Sequence, residues 1–223
     1  MVSIQLLKEN NLLSELPTSL LEKLVKKMKI HRFAKGEFVV FKGQESDSML
    51  FVLSGELHVV DINEQGQNVW LGKVLERSST GELGIVTGEQ RSASLVAAKA
   101  SLIGFLSKHE AVKLITSEPS VSWKVMQSLA GMIKNNNSQL NIINLPNVQQ
   151  RIETILTKKI SQQDVGSMNI ELPAQHIIAS MANTSRESVA RVLSKLVKSG
   201  VLEKVSPRVY RVLQPDLIKD YTL

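Results

Sequence analysis

The chain has 223 residues, enough for one large domain or two small ones, and its 43% apolar content is that of a globular protein. It has no cysteine, which excludes disulfides, thiolate metal sites, iron–sulfur clusters and cysteine nucleophiles. The net charge is +6: residues 1–146 hold 16 Lys+Arg against 14 Asp+Glu and residues 147–223 hold 11 against 7, so the basic excess gathers towards the end, as for a polyanionic partner or a solvated basic surface.

"MVSIQLLKENNLLSELP" lacks the apolar core of a signal peptide, and no apolar run approaches the roughly 18 residues of a spanning helix. The longest, Ala93 to Leu106, is interrupted by Lys99. A cytoplasmic protein without a membrane partner is expected. From Leu12 to Lys29 the apolar residues fall at helical spacing, with Pro17 and Thr18 punctuating the start. Residues 33–106 then read as short β-rich runs between turns at Gly36, Gly43, Gly55 and Gly66, the pattern of a sandwich or barrel.

Within that region "GELGIVTGEQRSAS" (81–94) sets two glycines around Glu82 and places Arg91 and Ser92 seven and eight residues after Gly84. Exposed backbone N–H groups and a guanidinium suit an anion, and a carboxylate nearby suits a hydroxyl beside it.

Ser117-Glu118-Pro119 opens a long helix that Leu145-Pro146-Asn147 ends. Met126, Leu129, Ile133, Asn136, Leu140 and Ile143 repeat along it at alternating spacings of three and four, a heptad seam. A second copy of the chain is the expected partner, packing on the chain's own β region being the alternative. Asn136 either fixes the register of that seam or faces something polar within it. "VQQRIETILTKKI" is a further amphipathic helix.

Pro173 begins a short helix that stops at Ala182-Asn183-Thr184, with Asn183 suited to a left-handed turn and Thr184 or Ser185 to an N-cap. The next helix buries Val189, Val192, Leu193 and Leu196 and projects Arg186, Glu187 and Arg191. "VLEKV", a Ser-Pro turn and "RVYRVL" make a hairpin. Two short helices, a tight turn and a hairpin describe a winged helix-turn-helix, or else a helical hairpin with solvated charges.

In this order and spacing, "GELG…RSA" at 81–93, the long helix, "RIETIL" at 151–156 and "SRESVARVLSKL" at 185–196 resemble the CRP/FNR family of bacterial transcription regulators, from about Phe33 to Val212. The cyclic-AMP receptor branch is the most similar. The resemblance implies an α+β fold with a jelly-roll-like cyclic-nucleotide-binding β-roll at 1–116, a dimerisation helix at 117–145 and a winged helix-turn-helix at 146–223. It implies a homodimer in the cytoplasm, not an enzyme, with cyclic AMP (or cyclic GMP or another cyclic nucleotide) as allosteric ligand and no metal. Arg91 would pair with the cyclic phosphate, helped by Ser92, and Glu82 would take the ribose hydroxyl beside Gly81 and Leu83. Val59 and Leu71 would line the base pocket, and Asn136 and Asn137 stand where the receptor branch has a Thr-Ser pair touching adenine.

On double-stranded DNA, Arg186, Glu187 and Arg191 would read TGTGA half-sites, with His176, Thr184 and Ser185 at the backbone. Lys29, His31 and His109 match a basic patch that touches RNA polymerase in activators of this branch. The chain departs from the pattern at five residues: Met132 where an Arg is usual, the pair Asn136-Asn137 itself, and Arg77-Ser78 where Gly-Asp is typical. The base of the ligand stays open, since Asn can donate to and accept from adenine or guanine edges alike. Two alternatives remain: a member with another ligand or active without one, and a ligand-sensing module that regulates a protein partner.

Overall fold

The computed structural model describes residues 4–62, 68–161 and 169–214. The chain divides into two compact units, residues 1–132 and 133–223.

The first unit begins with α1 (Ile4–Lys8) and α2 (Thr18–Lys27). The helix expected from Leu12 to Lys29 is therefore shorter. Residues 10–16 form successive turns in which the Asn10 carboxamide oxygen accepts from the Leu12 N–H, and Pro17 occupies the N-cap of α2. Leu12, Leu13 and Leu16 are buried all the same, so the apolar spacing reported burial and not helix.

Eight strands follow: β1 (Lys29–Phe33), β2 (Phe38–Val40), β3 (Ser48–Ser54), β4 (Glu56–Ile62), β5 (Asn68–Leu75), β6 (Ser79–Thr80), β7 (Ser94–Ala97) and β8 (Ser101–Ser107). They form two antiparallel sheets of order β1-β8-β3-β6 and β2-β7-β4-β5. Val40, Leu50, Val52, Leu57, Val74, Leu95, Ala97 and Ile103 make the core between them. Strand β3 is buried on both faces: Leu50 and Val52 face the other sheet, whereas Met49, Phe51 and Leu53 pack among the helices. Turns at Gly36, Gly43 and Gly55 all have positive φ; Gly66 lies outside the described residues.

Helix α3 (Glu82–Thr87) lies between β6 and β7, and α4 (Lys108–Ser117) follows β8. Ser107 caps α4 by accepting from the Glu110 N–H. Neither helix was legible as one, because α3 is six residues long and α4 runs almost directly into α5 (Pro119–Ile143). Val121 and Val125 of α5 join the helical core of the first unit.

The second unit contains the end of α5, then α6 (Val148–Ser161), β9 (Asn169–Glu171), α7 (Gln175–Met181), α8 (Arg186–Lys198), β10 (Leu202–Lys204) and β11 (Val209–Val212). The expected hairpin is a three-stranded sheet of order β10-β11-β9, its third strand coming from before the helices. Ile142 of α5 and Ile152, Ile155 and Leu156 of α6 share one core with Ile178, Val189, Leu193 and Tyr210. The fold is α+β.

The exposed stripe of α5 is not quite the expected seam. Met126, Ile133 and Leu140 are exposed, and Ile133 keeps 63% of its surface. Leu129, in contrast, packs against the first unit's core, and Ile142 rather than Ile143 is buried in the second. Trp123, 61% exposed, extends the stripe.

Candidate functional site

Gly81 N-caps α3 at φ 91, a left-handed conformation that favours glycine. A Cβ there would stand 2.6 Å from Arg91 Nη1 and 3.3 Å from the Ser48 carbonyl, so the bare backbone admits the guanidinium. Of the stretch expected as a loop with open N–H groups, Glu82–Thr87 is a helix with Glu82 in its first turn, while residues 88–93, which carry Arg91 and Ser92, are loop.

Arg91 is 7% exposed. Its Nη2 donates to the Ser48 carbonyl at 2.7 Å and to the Ser48 hydroxyl at 3.1 Å, and Asp47 Oδ1 lies 3.7 Å away. Burial lowers its pKa from the usual value, and the Asp47 carboxylate opposes that. Nε and Nη1 have no partner.

Glu82, 2% exposed, accepts from the Ser128 hydroxyl of α5 at 2.9 Å through Oε1; its Oε2 has no partner. Unpaired polar atoms on a buried cation and a buried anion are costly in a closed protein. Donors suited to a phosphodiester and an acceptor suited to a hydroxyl are the unmet groups, so the residues fit a cyclic nucleotide.

A cleft of about 410 Å³ reaches Arg91 and is lined by Val40, Gln44, Glu45, Asp47, Ser48 and Phe105. None of Gly81, Glu82, Val59 or Leu71 lines it. Val59 sits on β4, paired with Leu95 of β7 and with Gly72 of β5. The ladder slips between Val59 and Val60, leaving Leu71 unpaired at a bulge and exposed. Leu83 and Ser92 are also exposed, and Ser92 follows Arg91 without sharing its burial. Asn136 and Asn137 are exposed on α5. Two groups escaped the sequence reading: Ser48, which holds the guanidinium from strand β3, and Ser128 of α5. No local pattern marks either.

Arg77, where Gly is typical in the family resembled, has φ 66. Its carbonyl accepts from the Asn11 N–H and its guanidinium meets Glu9 at 3.2 Å. Arg77 thus takes a left-handed conformation that glycine adopts more readily.

In the second unit Asn183, at φ 44, makes the tight turn between α7 and α8. Ser185 is the N-cap of α8, its hydroxyl accepting from the Ser188 N–H at 3.2 Å, while the Thr184 N–H bonds the Ala179 carbonyl. Val189, Val192, Leu193 and Leu196 are buried; Arg186, Glu187 and Arg191 are exposed, as is His176 near the start of α7. The Glu187 carboxyl is held below its usual range by its own backbone N–H and the Ser185 side chain. An anionic acceptor and two guanidiniums therefore project from the first turns of one helix.

Residues 30–118 match the family of cyclic nucleotide-binding domains, and residues 145–221 match the Crp-like helix-turn-helix domain. The chain belongs to the CRP/FNR family of transcription regulators. Within this regulator family a cyclic AMP receptor protein of Thermus thermophilus is 24% identical over 188 residues, 84% of this chain and 85% of that protein. The cAMP-activated global transcriptional regulator CRP of Salmonella typhimurium is 23% identical over 172 residues, 75% of this chain and 81% of that one.

The CRP/FNR fold is shared with CLP of Xanthomonas campestris, a c-di-GMP-responsive global regulator, at a TM-score of 0.72 and 17% identity, covering 89% of this chain and 100% of that one. A mutant CooA from Carboxydothermus hydrogenoformans gives 0.76 at 18% identity over 89% of each chain. The family regulates transcription and is not one of enzymes. Among the described residues no helix is long and apolar enough to cross a membrane.

Proposed function

We propose that this regulator works as a homodimer, paired along α5, in which a cyclic nucleotide, cyclic AMP first, held by Arg91, Ser92 and Glu82, sets the affinity of α8 for a TGTGA-N6-TCACA palindrome. The observation that carries the ligand half is the pairing of unmet donors on buried Arg91 with an unmet acceptor on buried Glu82, one residue from the glycine against which Arg91 packs. Binding on this reading exchanges the Ser48 and Asp47 contacts of Arg91 for a phosphodiester. Val59 and Leu71 lie on the sheet that β7 joins three residues after Arg91, the side from which a base would be met. Asn136 and Asn137 supply amides for the base edge.

For the DNA half, Arg suits guanine O6 and N7 and Glu accepts from cytosine N4; Arg186, Arg191 and Glu187 are exposed on α8 for those roles, with His176, Thr184 and Ser185 at phosphates. Lys29, His31 and His109, all exposed, are the candidate contact with RNA polymerase. The test is fluorescence anisotropy on the palindrome with and without cyclic AMP. Retention that rises with ligand and weakens steeply with salt supports the reading; no binding in either condition removes it.

A second reading is favoured by the engaged state of Arg91, which Ser48 and Asp47 already occupy. The chain then answers to a different ligand, as CLP does, or binds DNA without one. Ligand-independent retention on the palindrome would select it.

A further inference from the structure

The second unit contains a buried carboxylate that neither its core nor the base-reading residues explain. Glu153 of α6 is 2% exposed. Its Oε1 accepts from Gln149 Nε2 at 2.8 Å, one turn earlier, while Oε2 has no partner. With its NH2 committed inward, the Gln149 amide turns its oxygen outward, and Oε1 accepts from Lys195 Nζ of α8 at 3.0 Å. A chain of two hydrogen bonds thus leads from a buried acid to an exposed lysine on the helix that carries Arg191.

Ser188, Arg191 and Lys195 share one face of α8, at spacings of three and four. Together with Asn147, Val148 and Gln149 they line a cleft of about 380 Å³ between α8 and the start of α6. None of its lining residues is acidic. The Lys195 hydrogen bond goes to a neutral acceptor, which uses one ammonium donor of three and does not neutralise the charge.

Along the helix Lys195 stands about 6 Å beyond Arg191, away from the end of α8 that enters a groove. A compact ammonium at that distance suits a phosphate rather than a base edge. We propose that Lys195 clamps a DNA backbone phosphate, with Gln149 and Glu153 as the positioning residues that hold it ready. A lysine already restrained loses less side-chain freedom on binding than an unrestrained one. Glu153 acts only through Gln149, whose amide orientation it fixes.

The proposal rests on the DNA reading above, and the experiment separates the two. Full-length wild type, Lys195→Gln, Gln149→Ala, Glu153→Ala and Glu153→Gln are titrated on the TGTGA palindrome and on a scrambled duplex, with cyclic AMP, over a range of salt. Lys195→Gln should weaken both duplexes by the same factor, about tenfold near physiological salt, and flatten the slope of log K against log salt by about 1 per half-site. Gln149→Ala and Glu153→Ala should weaken both duplexes about threefold, with the Lys195 charge still in the slope. Glu153→Gln keeps an acceptor for Gln149 and should behave as wild type. If Glu153→Ala does not fold, Gln149→Ala reads the same contact from a less buried position. Wild-type binding with an unchanged slope in Lys195→Gln overturns the clamp, as does a loss confined to one base pair. Wild type that binds neither duplex overturns the DNA reading itself.

Discussion

The Ser128 hydroxyl of α5 donates to Glu82 Oε1 at 2.9 Å, which ties the long helix to the first turn of α3. Glu82 is buried, carries no ion pair among the described residues, and has this one hydrogen bond for two oxygens. Met132, one turn further along α5, offers no cation. Ser128 therefore orients the carboxylate without neutralising it, and Oε2 has no partner, which on the proposed reading is where a ligand hydroxyl donates.

A ribose hydroxyl donating to that oxygen gives a test that leaves the phosphate untouched. Wild type should bind cyclic AMP at least about tenfold more tightly than its 2′-deoxy analogue, since a hydrogen bond to a charged group contributes about 1.5–3 kcal/mol. Glu82→Gln should bring the two affinities within about threefold. Calorimetry with both nucleotides reads the difference, and an undiminished preference in Glu82→Gln would move the hydroxyl contact elsewhere.

Gly81→Ala combines a left-handed φ with a Cβ 2.6 Å from Arg91 Nη1. We expect a loss of about 1–3 kcal/mol in stability from the strained backbone, and weaker ligand binding from the displaced guanidinium. Chemical denaturation measures the first effect. Gly84→Ala should also destabilise, because its Cβ would fall 2.0 Å from Ser46 Oγ and 3.1 Å from the Glu89 carbonyl.

The two halves of the apolar stripe on α5 should respond differently to charge. Ile133→Lys would put like charges across the proposed twofold contact and should yield folded monomers. Leu129→Lys intrudes on the first unit's core and should unfold it instead. Light scattering and thermal melts on both variants distinguish these outcomes. An intact dimer in Ile133→Lys would place the interface off this helix face.

Base reading by α8 predicts a local loss. Binding-site selection with Arg191→Ala should relax preference at one guanine and cost about 1–3 kcal/mol on the best site. Selection by wild type of a motif without the TGTGA core would show that the code differs even though the helix-turn-helix is present.

The sequence made the periodic parts legible. Helix α8, with its Asn183 turn and its buried Val189, Val192, Leu193 and Leu196, is local information that the structure matches, and of the two candidate caps, Thr184 and Ser185, it is Ser185 that caps the helix. Helix α5 was readable from Pro119 onward for the same reason. Residues 10–16 misled because buried leucines in tight turns imitate helical spacing. Strand β9 was missed because its three residues acquire meaning only beside β11. At the site, the glycine, acid and arginine of the cassette stand within eleven residues and could be seen together. Ser48 lies 43 residues from Arg91 and Ser128 lies 46 from Glu82, so only folding brings them in. The bulge that exposes Leu71 likewise depends on its partner strand.

On the proposed reading Arg91 is the phosphate-binding residue of a cyclic-nucleotide site. Isothermal titration of wild type and Arg91→Leu against cyclic AMP, cyclic GMP and a cyclic dinucleotide tests it most directly, with light scattering to establish that the variant remains a folded dimer. Wild type should bind cyclic AMP with one site per chain. Arg91→Leu should lose at least about tenfold in affinity, the equivalent of about 1.4 kcal/mol or more. Cyclic AMP binding of equal strength in folded Arg91→Leu, or no binding of any of the three nucleotides by wild type, would contradict the claim.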